Sequence, residues 1–294
     1  MAPYGQGASC RLTSTPVSDR KRASVELLQQ IAKLDAQILA VLDHRARASR
    51  RLREVRADDA PQLRSEHETL HELVARGHGD MPAESVEAIF REIFSACLAL
   101  ELPVKVVYAG PEGGAAHDAA RARFGKTADL TPAEGTPAAL EEVARRRAEF
   151  AVVPIETKRE GIVQSTILAL VTTDLKVVSA VESPTLGDPS DRVRYAVVGA
   201  RPSSRTGEDV TALVFNVADT PGALIDVLRQ FAERGVNLLR IQSQPAQPLQ
   251  ATPGWTYLFF VEVAGHTTDR PLVTAFEDVK RLTKFFKVLG SYSV

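Results

Sequence analysis

From about Ala23 to Arg56 the chain places Leu27, Ile31, Leu34, Ile38, Val41 and Leu42 three and four residues apart, with no Gly or Pro between them. That spacing lines one face of a single long amphipathic helix. A compact three-helix monomer cannot cover a helix of more than thirty residues, so the pattern predicts packing against a partner chain. Pro61 ends or follows the helix. Ser65 to Ala75 reads as a second helix stopped at Gly77 and Gly79, and Asp80, Pro82 and Glu84 open a third that reaches about Leu100 before Pro103. Residues 1–22 are rich in Ser, Thr, Pro and Gly without periodicity and are expected to form a disordered leader.

With 44% hydrophobic residues, 25% charged residues and a net charge of −1, nothing global draws the chain toward nucleic acid or a membrane surface. It holds no apolar run of eighteen residues, and its two cysteines, Cys10 and Cys97, are far apart. A reducing, cytoplasmic setting is expected, with no disulfide framework, no cysteine-based metal site and no cofactor.

After Pro103 strands alternate with helices. Val104–Ala109, Phe150–Ile155, Leu175–Val181 and Val193–Val198 read as strands, while Ala115–Phe124, Pro137–Arg147 and Ile162–Val171 read as helices, giving an α/β lobe. Pro202–Gly207 reads as a linker. The last part runs strand Val210–Ala218, helix Ala223–Arg234, strands Val236–Ser243 and Thr256–Val263, helix Leu272–Phe285 and strand Phe286–Ser291. That order is βαββαβ, the ferredoxin-like arrangement. The expected organisation is multidomain: a leader at 1–22, an all-α domain at 23–102, an α/β lobe at 103–200 and an α+β domain at 207–294.

Six short motifs occur in one order: Phe90-Arg91-Glu92-Ile93-Phe94-Ser95 through Glu101, Gly110-Pro111-Glu112-Gly113, Val153-Pro154-Ile155-Glu156, Pro221-Gly222-Ala223-Leu224, Gly235-Val236-Asn237-Leu238 and the ending Leu289-Gly290-Ser291-Tyr292. In them the chain resembles the bifunctional chorismate mutase–prephenate dehydratase family of phenylalanine biosynthesis. The resemblance implies mutase-like helices, a truncated lobe of the periplasmic-binding-protein-like kind and a regulatory ACT domain.

Mutases of this helical type hold a dianion with several cations and a hydrogen-bonding partner. The resemblance places Arg45, Arg56, Glu66 and Glu101 in that site. Arg45 and Arg56 are eleven positions apart, about three turns, so they share a helix face. Leu28 stands where the family has a carboxylate-clamping arginine, and Ser65 stands near another expected arginine. Within the same segment His67-Glu68-Thr69-Leu70-His71 reads literally as a zinc-protease motif. A short polar helix with no third ligand makes two solvated histidines the better reading, so no metal is expected.

In the dehydratase part, Gly114 and Ala116 replace a threonine and a serine, Thr157-Lys158 replaces Asn-Ser, and Val193-Arg194-Tyr195 replaces Thr-Arg-Phe, though His117 remains. Valine has no proton to give. Without the general acid the step loses about 10²–10⁴-fold. Only 37 residues separate Glu156 from Arg194, where the family inserts most of a second lobe. The strand at Val193–Val198 is expected to return directly to the first lobe.

For the ACT domain the resemblance implies L-phenylalanine bound at a dimer interface by Gly222, Ala223, Leu224, Asn237 and Leu238. The family's Glu-Ser-Arg-Pro reads Gln242-Ser243-Gln244-Pro245, with neutral amides for an ion pair, and Trp255 with Tyr257–Val261 supports an intact sheet. Two functions are weighed. One is an amino-acid-sensing homodimer, joined through the long helix and the ACT domain, that has lost dehydratase activity and acts through a pathway enzyme. The other is a working phenylalanine-branch enzyme, a chorismate mutase ahead of a prephenate dehydratase, with chorismate or prephenate as ligand.

Overall fold

The computed structural model describes residues 17–55, 73, 79–101, 104–125, 128–182, 192–245 and 257–293. It divides into two compact units, residues 1–48 and 49–294. The described part of the first unit is the body of α1 (Val17–Val55). No Gly or Pro interrupts this helix, and Arg22–Glu26 at 3.5 Å and Asp43–Arg47 pair along it at i,i+4, each such pair adding a few tenths of a kcal/mol. Leu27, Leu28, Ile31, Leu34, Ile38 and Leu39 are all exposed. The expected second helix, Ser65–Ala75, falls almost wholly outside the described residues.

In the second unit α2 (Ala83–Glu101) begins after Pro82, whose carbonyl accepts the Ser85 and Val86 N–H groups, and carries Glu84 in its positive first turn. Phe94 and Cys97 are buried, and Ser95 Oγ donates to the Phe124 carbonyl at 2.6 Å.

The lobe is a mixed sheet of β1 (Lys105–Ala109), β2 (Asp129–Ala133), β3 (Phe150–Thr157), β5 (Lys176–Glu182) and β6 (Val193–Gly199), in the order β2-β1-β3-β6-β5, with β4 (Gly161–Ile162) beside β3. β1 runs parallel to β2 and β3, and β6 returns antiparallel between β3 and β5. The direct return of β6 is what the short spacing from Glu156 to Arg194 requires. Alternate side chains split between two faces. Val106, Tyr108, Val152 and Val197 meet α3 (Ala115–Phe124) through Ala116, Ala119, Ala120 and Phe124. Val107, Ala151, Val153 and Val198 meet α4 (Thr136–Ala144) and α5 (Gln164–Val171).

The C-terminal part has the expected βαββαβ order: β7 (Asp209–Asn216), α6 (Ala223–Ala232), β8 (Leu238–Pro245), β9 (Tyr257–Ala264), α7 (Arg270–Leu282) and β10 (Phe285–Ser293). Its antiparallel sheet is ordered β10-β7-β9-β8. One face is covered by α6 and α7 through Val227, Phe231, Leu272, Phe276 and Val279. An antiparallel sheet can leave its other face to water. Here it does not, because every residue of β7 is buried. Val210, Ala212, Val214, Leu258, Phe260, Leu289 and Tyr292 join the core formed by α4, α5 and the lobe sheet. The approach of β10 to β5 is close enough that a Cβ on Gly290 (φ 155°) would sit 2.1 Å from the Val177 carbonyl oxygen. Lys176 Nζ donates to the Val288 carbonyl at 3.1 Å, and Lys287 Nζ donates to Val171 O at 2.7 Å and also to Thr173 O, closing the end of α5.

Several boundaries differ from the sequence expectation. The helix expected to reach Phe285 stops at Leu282, because Thr283 is extended and its hydroxyl donates to Val279 O at 2.8 Å. Ile162 belongs to β4 rather than to the following helix, and α4 ends at Ala144, with Arg146 left-handed at φ 58°. β2 and β4 were not anticipated. The 202–207 segment is tied down rather than loose: Thr206 and Gly207 donate their N–H groups to Asp209 Oδ2, at 2.8 and 3.0 Å.

Candidate functional site

At the carboxyl end of β1 the chain turns through Gly110-Pro111-Glu112-Gly113 into α3. Gly113 N–H donates to His117 Nδ1 at 2.9 Å, which makes that nitrogen the acceptor and leaves the ring proton on Nε2. The ring stacks on buried Tyr108 with centroids 5.1 Å apart. Burial, and then Glu112, raise the Tyr108 hydroxyl above its usual pKa. Gly114 and Ala116 offer no side-chain donor here, and the polar side chains at the helix entry are Glu112, His117 and Asp118.

The other two dehydratase motifs meet each other. In the β3–β6 ladder Glu156 stands opposite Arg194, and Thr157 opposite Val193. Thr157 Oγ1 accepts the Glu160 N–H at 3.0 Å, within its own turn. Arg194 is engaged by the C-terminal sheet. Its Nη1 lies 2.9 Å from Glu262 Oε1 and its Nη2 donates to Tyr292 Oη at 2.7 Å, both residues of the C-terminal sheet. Tyr292 Oη donates in turn to Glu262, and the Arg194 guanidinium lies 5.6 Å from the centre of the Tyr292 ring. Glu156 is 3.6 Å from Arg194 Nη1 and also accepts from Arg240 of β8, whose Nε is 3.2 Å from Glu262 Oε2.

Two arginines and two glutamates thus close a neutral cluster between lobe and C-terminal sheet. Only 5% of the Glu262 side chain and 17% of Arg194 are exposed. At such depth a charge persists only when paired and hydrogen-bonded. Burial alone would lower the Arg194 guanidinium, but Tyr292 and Glu262 raise it above its ordinary value. Burial first, and Glu262 next, push the Tyr292 hydroxyl well above the normal tyrosine range, so it stays a proton donor.

Gln242 and Gln244, expected merely to replace an ion pair, have a defined task. Ile162 N–H donates to Gln242 Oε1 at 3.1 Å, and Gln244 Nε2 donates to Ile162 O at 3.1 Å. An amide pair satisfies a donor and an acceptor of the β4 backbone without bringing in charge.

The residues expected to bind an amino acid fall in two places. Gly222, left-handed at φ 87°, precedes α6, Ala223 opens the helix, and Leu224 packs on the helix-side core. A Cβ on Gly222 would meet nothing within 4 Å, so the position calls for glycine by its backbone angle and not by crowding. Asn237 is exposed, accepts Ala264 N–H through its carbonyl at 2.9 Å, and leads into Leu238 at the start of β8. α6 lies between the two sets; its ten residues rise about 15 Å. One chain does not bring Gly222 and Asn237 together.

Of the expected mutase residues, Arg45 is half-buried on α1 and Glu101 is the last residue of α2. Arg56 and Glu66 lie outside the described residues, as do Ser65, His67, Glu68, His71 and Trp255. Leu28 is 62% exposed. Sequence reasoning missed Arg240 and Glu262, and gave Tyr292 no role. The signal for Glu262 was an acid within the apolar run Tyr257–Ala264, which a buried strand tolerates only with a partner.

Comparison with known proteins gives the same order of parts. The profile described as chorismate mutase type II matches residues 27–102, prephenate dehydratase matches 106–185, and the ACT domain matches 211–281. A bifunctional chorismate mutase/prephenate dehydratase of Aquifex aeolicus is 27% identical, covering 91% of this chain and 97% of that protein. That alignment takes 354 positions against the 294 residues here, so it carries gaps where the relative has chain that this protein lacks. Two solved structures share the fold at a TM-score of 0.55, each covering 65% of this chain. One, 24% identical and covered over 95% of its length, is described as GqqA, a quorum quenching acylase. The other, 23% identical and covered over 90%, is a prephenate dehydratase of Arthrobacter aurescens in complex with L-Phe. At these identities the structures speak for the fold and not for the chemistry.

Proposed function

The chain belongs to the bifunctional chorismate mutase–prephenate dehydratase family of phenylalanine biosynthesis, with a C-terminal ACT domain, and we propose that it acts there as an amino-acid-sensing dimer without dehydratase activity. The observation that carries the proposal is the position of Arg194. Dehydrating prephenate requires a proton for the departing hydroxyl and a water-poor cleft around the ring. Val193 has no proton to give, and Arg194 is held by Glu262 and Tyr292 of the ACT sheet. The ACT sheet packs on the lobe face that carries Val107, Ala151, Val153 and Val198, so that face is buried in core.

L-phenylalanine is the ligand proposed for Gly222, Ala223, Leu224, Asn237 and Leu238. The left-handed Gly222 turn supports a backbone-lined site, and the Arthrobacter relative carries the same amino acid. Since these residues sit at opposite ends of α6, the site takes one end from each of two copies. The apolar stripe on α1 is a second surface suited to pairing, and a pathway enzyme is the proposed recipient of the signal.

A mutase reading is favoured by one observation, the mutase profile running through the whole of 27–102. Arg45, Arg56, Glu66 and Glu101 would then hold chorismate, and Leu28→Arg should raise turnover by supplying the clamp. Incubating the purified chain with chorismate, with and without L-phenylalanine, and separating the products by chromatography tests both. The proposal expects no phenylpyruvate; prephenate alone would establish the mutase, and phenylpyruvate would overturn the assignment.

A further inference from the structure

The segment joining β6 to β7 reads as a linker in the sequence, but a single turn grips it. That turn, residues 265–269 between β9 and α7, holds His266 buried at 4% exposure. The Nε2 of His266 lies 3.3 Å from the Ser203 carbonyl oxygen, an acceptor only, so Nε2 carries a proton. Nδ1 accepts the Thr268 N–H at 3.2 Å and lies 2.8 Å from Thr268 Oγ1. One nitrogen donates and the other accepts, which is the neutral ring.

Further contacts tie the same strap, residues 203–207, to the turn and to β10. Arg205 Nε lies 2.6 Å from Asp269 Oδ1, and Ser203 Oγ donates to the Ser291 carbonyl. Ser291 Oγ in turn accepts the Thr267 N–H at 3.0 Å. The charged groups on this side are Asp269 in the turn, Arg270 opening α7, Arg205 and Glu208 on the strap, and Asp209 opening β7. Asp269 Oδ2 accepts the His266 N–H at 2.8 Å, and Asp209 accepts the Thr206 and Gly207 N–H groups. Both carboxylates are thus directed at backbone N–H groups and Arg205 rather than at the imidazole.

We propose that His266 is a pH-operated latch on the 203–207 strap. A proton added at Nδ1 turns that nitrogen into a donor and sets it against the Thr268 N–H. Two donors then face each other in a buried turn, and one must give way. The turn opens, and the Ser203 and Arg205 contacts loosen with it. Lobe and ACT sheet are then held by their packed faces and not by a fixed connection. The latch answers to proton concentration and needs no ligand.

Hydrogen exchange of a peptide covering residues 200–208 in the full chain, corrected for the intrinsic pH dependence of amide exchange, tests this. Between about pH 8 and about pH 5, where histidine changes charge, strap protection should fall about tenfold, the effect of losing about one hydrogen bond. A peptide covering β6 is the internal control and should hold its protection. His266→Gln keeps a donor and an acceptor but does not titrate, so its strap should stay protected throughout. His266→Leu supplies neither and should lose strap protection at both ends of the window. Long-range proton–nitrogen NMR correlations of the wild-type ring show directly when Nδ1 gains its proton, so the reading does not depend on the variants folding. A wild-type strap equally protected at both ends of the window, whether or not the ring protonates, overturns the latch. So does a pH dependence that survives in His266→Gln.

Discussion

Along α1 the side chains of Leu27, Leu28, Ile31, Leu34 and Ile38 remain exposed on a helix of 39 residues, while all eight residues of β7 are buried. Both carry an apolar surface that calls for cover, a stripe along α1 and the whole of β7. β7 finds α6 and α7 on one face and the lobe on the other, within the same chain, whereas the described residues leave the α1 stripe uncovered. Apolar periodicity therefore defines an element, but where its cover comes from depends on topology. The α/β lobe and the ACT domain complete each other. The long helix is proposed to be completed by a second copy.

Substitutions can sharpen that contrast. Phe260→Ala removes a ring from the core shared by lobe and ACT sheet and should cost about 4 kcal/mol in urea unfolding. Leu34→Ala should leave that transition within about 0.5 kcal/mol and instead weaken self-association in sedimentation. Equal losses at the two positions would erase the distinction. Glu262→Ala strands Arg194 and Tyr292 in the junction and should cost about 3 kcal/mol. Glu262→Gln should cost less, because it still pairs with the tyrosine. Gly290→Ala drives a Cβ toward the Val177 backbone at positive φ and should cost about 2 kcal/mol; an unchanged melting temperature would mean that β10 and β5 are not so close.

The smallest effect is one of pH. The His266 N–H above all, against the opposing effect of burial, and Arg205 hold the Asp269 carboxyl below the usual value of about 3.9. A folded-state pKa below the unfolded one gives stability that is present above that value and lost as pH falls through the folded one. Thermal melts from pH 5 downward should show this loss, and Asp269→Asn should flatten it.

Much of this organisation is legible in the sequence. The spacing in α1, the strand–helix alternation after Pro103 and the βαββαβ order each follow from local pattern, and the six motifs place the chain in its family. β2 escaped because Asp129–Ala133 contains Pro132 and too few β-branched residues for a strand signal. β4 is two residues long and exists by pairing with Glu156 and Thr157. The junction escaped for a different reason. Arg194 and Glu262 are 68 residues apart, and nothing local to either names the other. Gly222 and Asn237 are assigned to one ligand at a dimer interface by the family resemblance alone, and within one chain the helix α6 lies between them.

Lobe and ACT domain form one body locked at Arg194. Native-state hydrogen exchange across a urea series measures this directly, by comparing buried amides in β6, such as Val197, with those in β7, such as Leu213. One shared opening free energy is expected for both strands, falling together in Glu262→Ala. Two separate values, with Glu262→Ala lowering only the ACT strand, would contradict it.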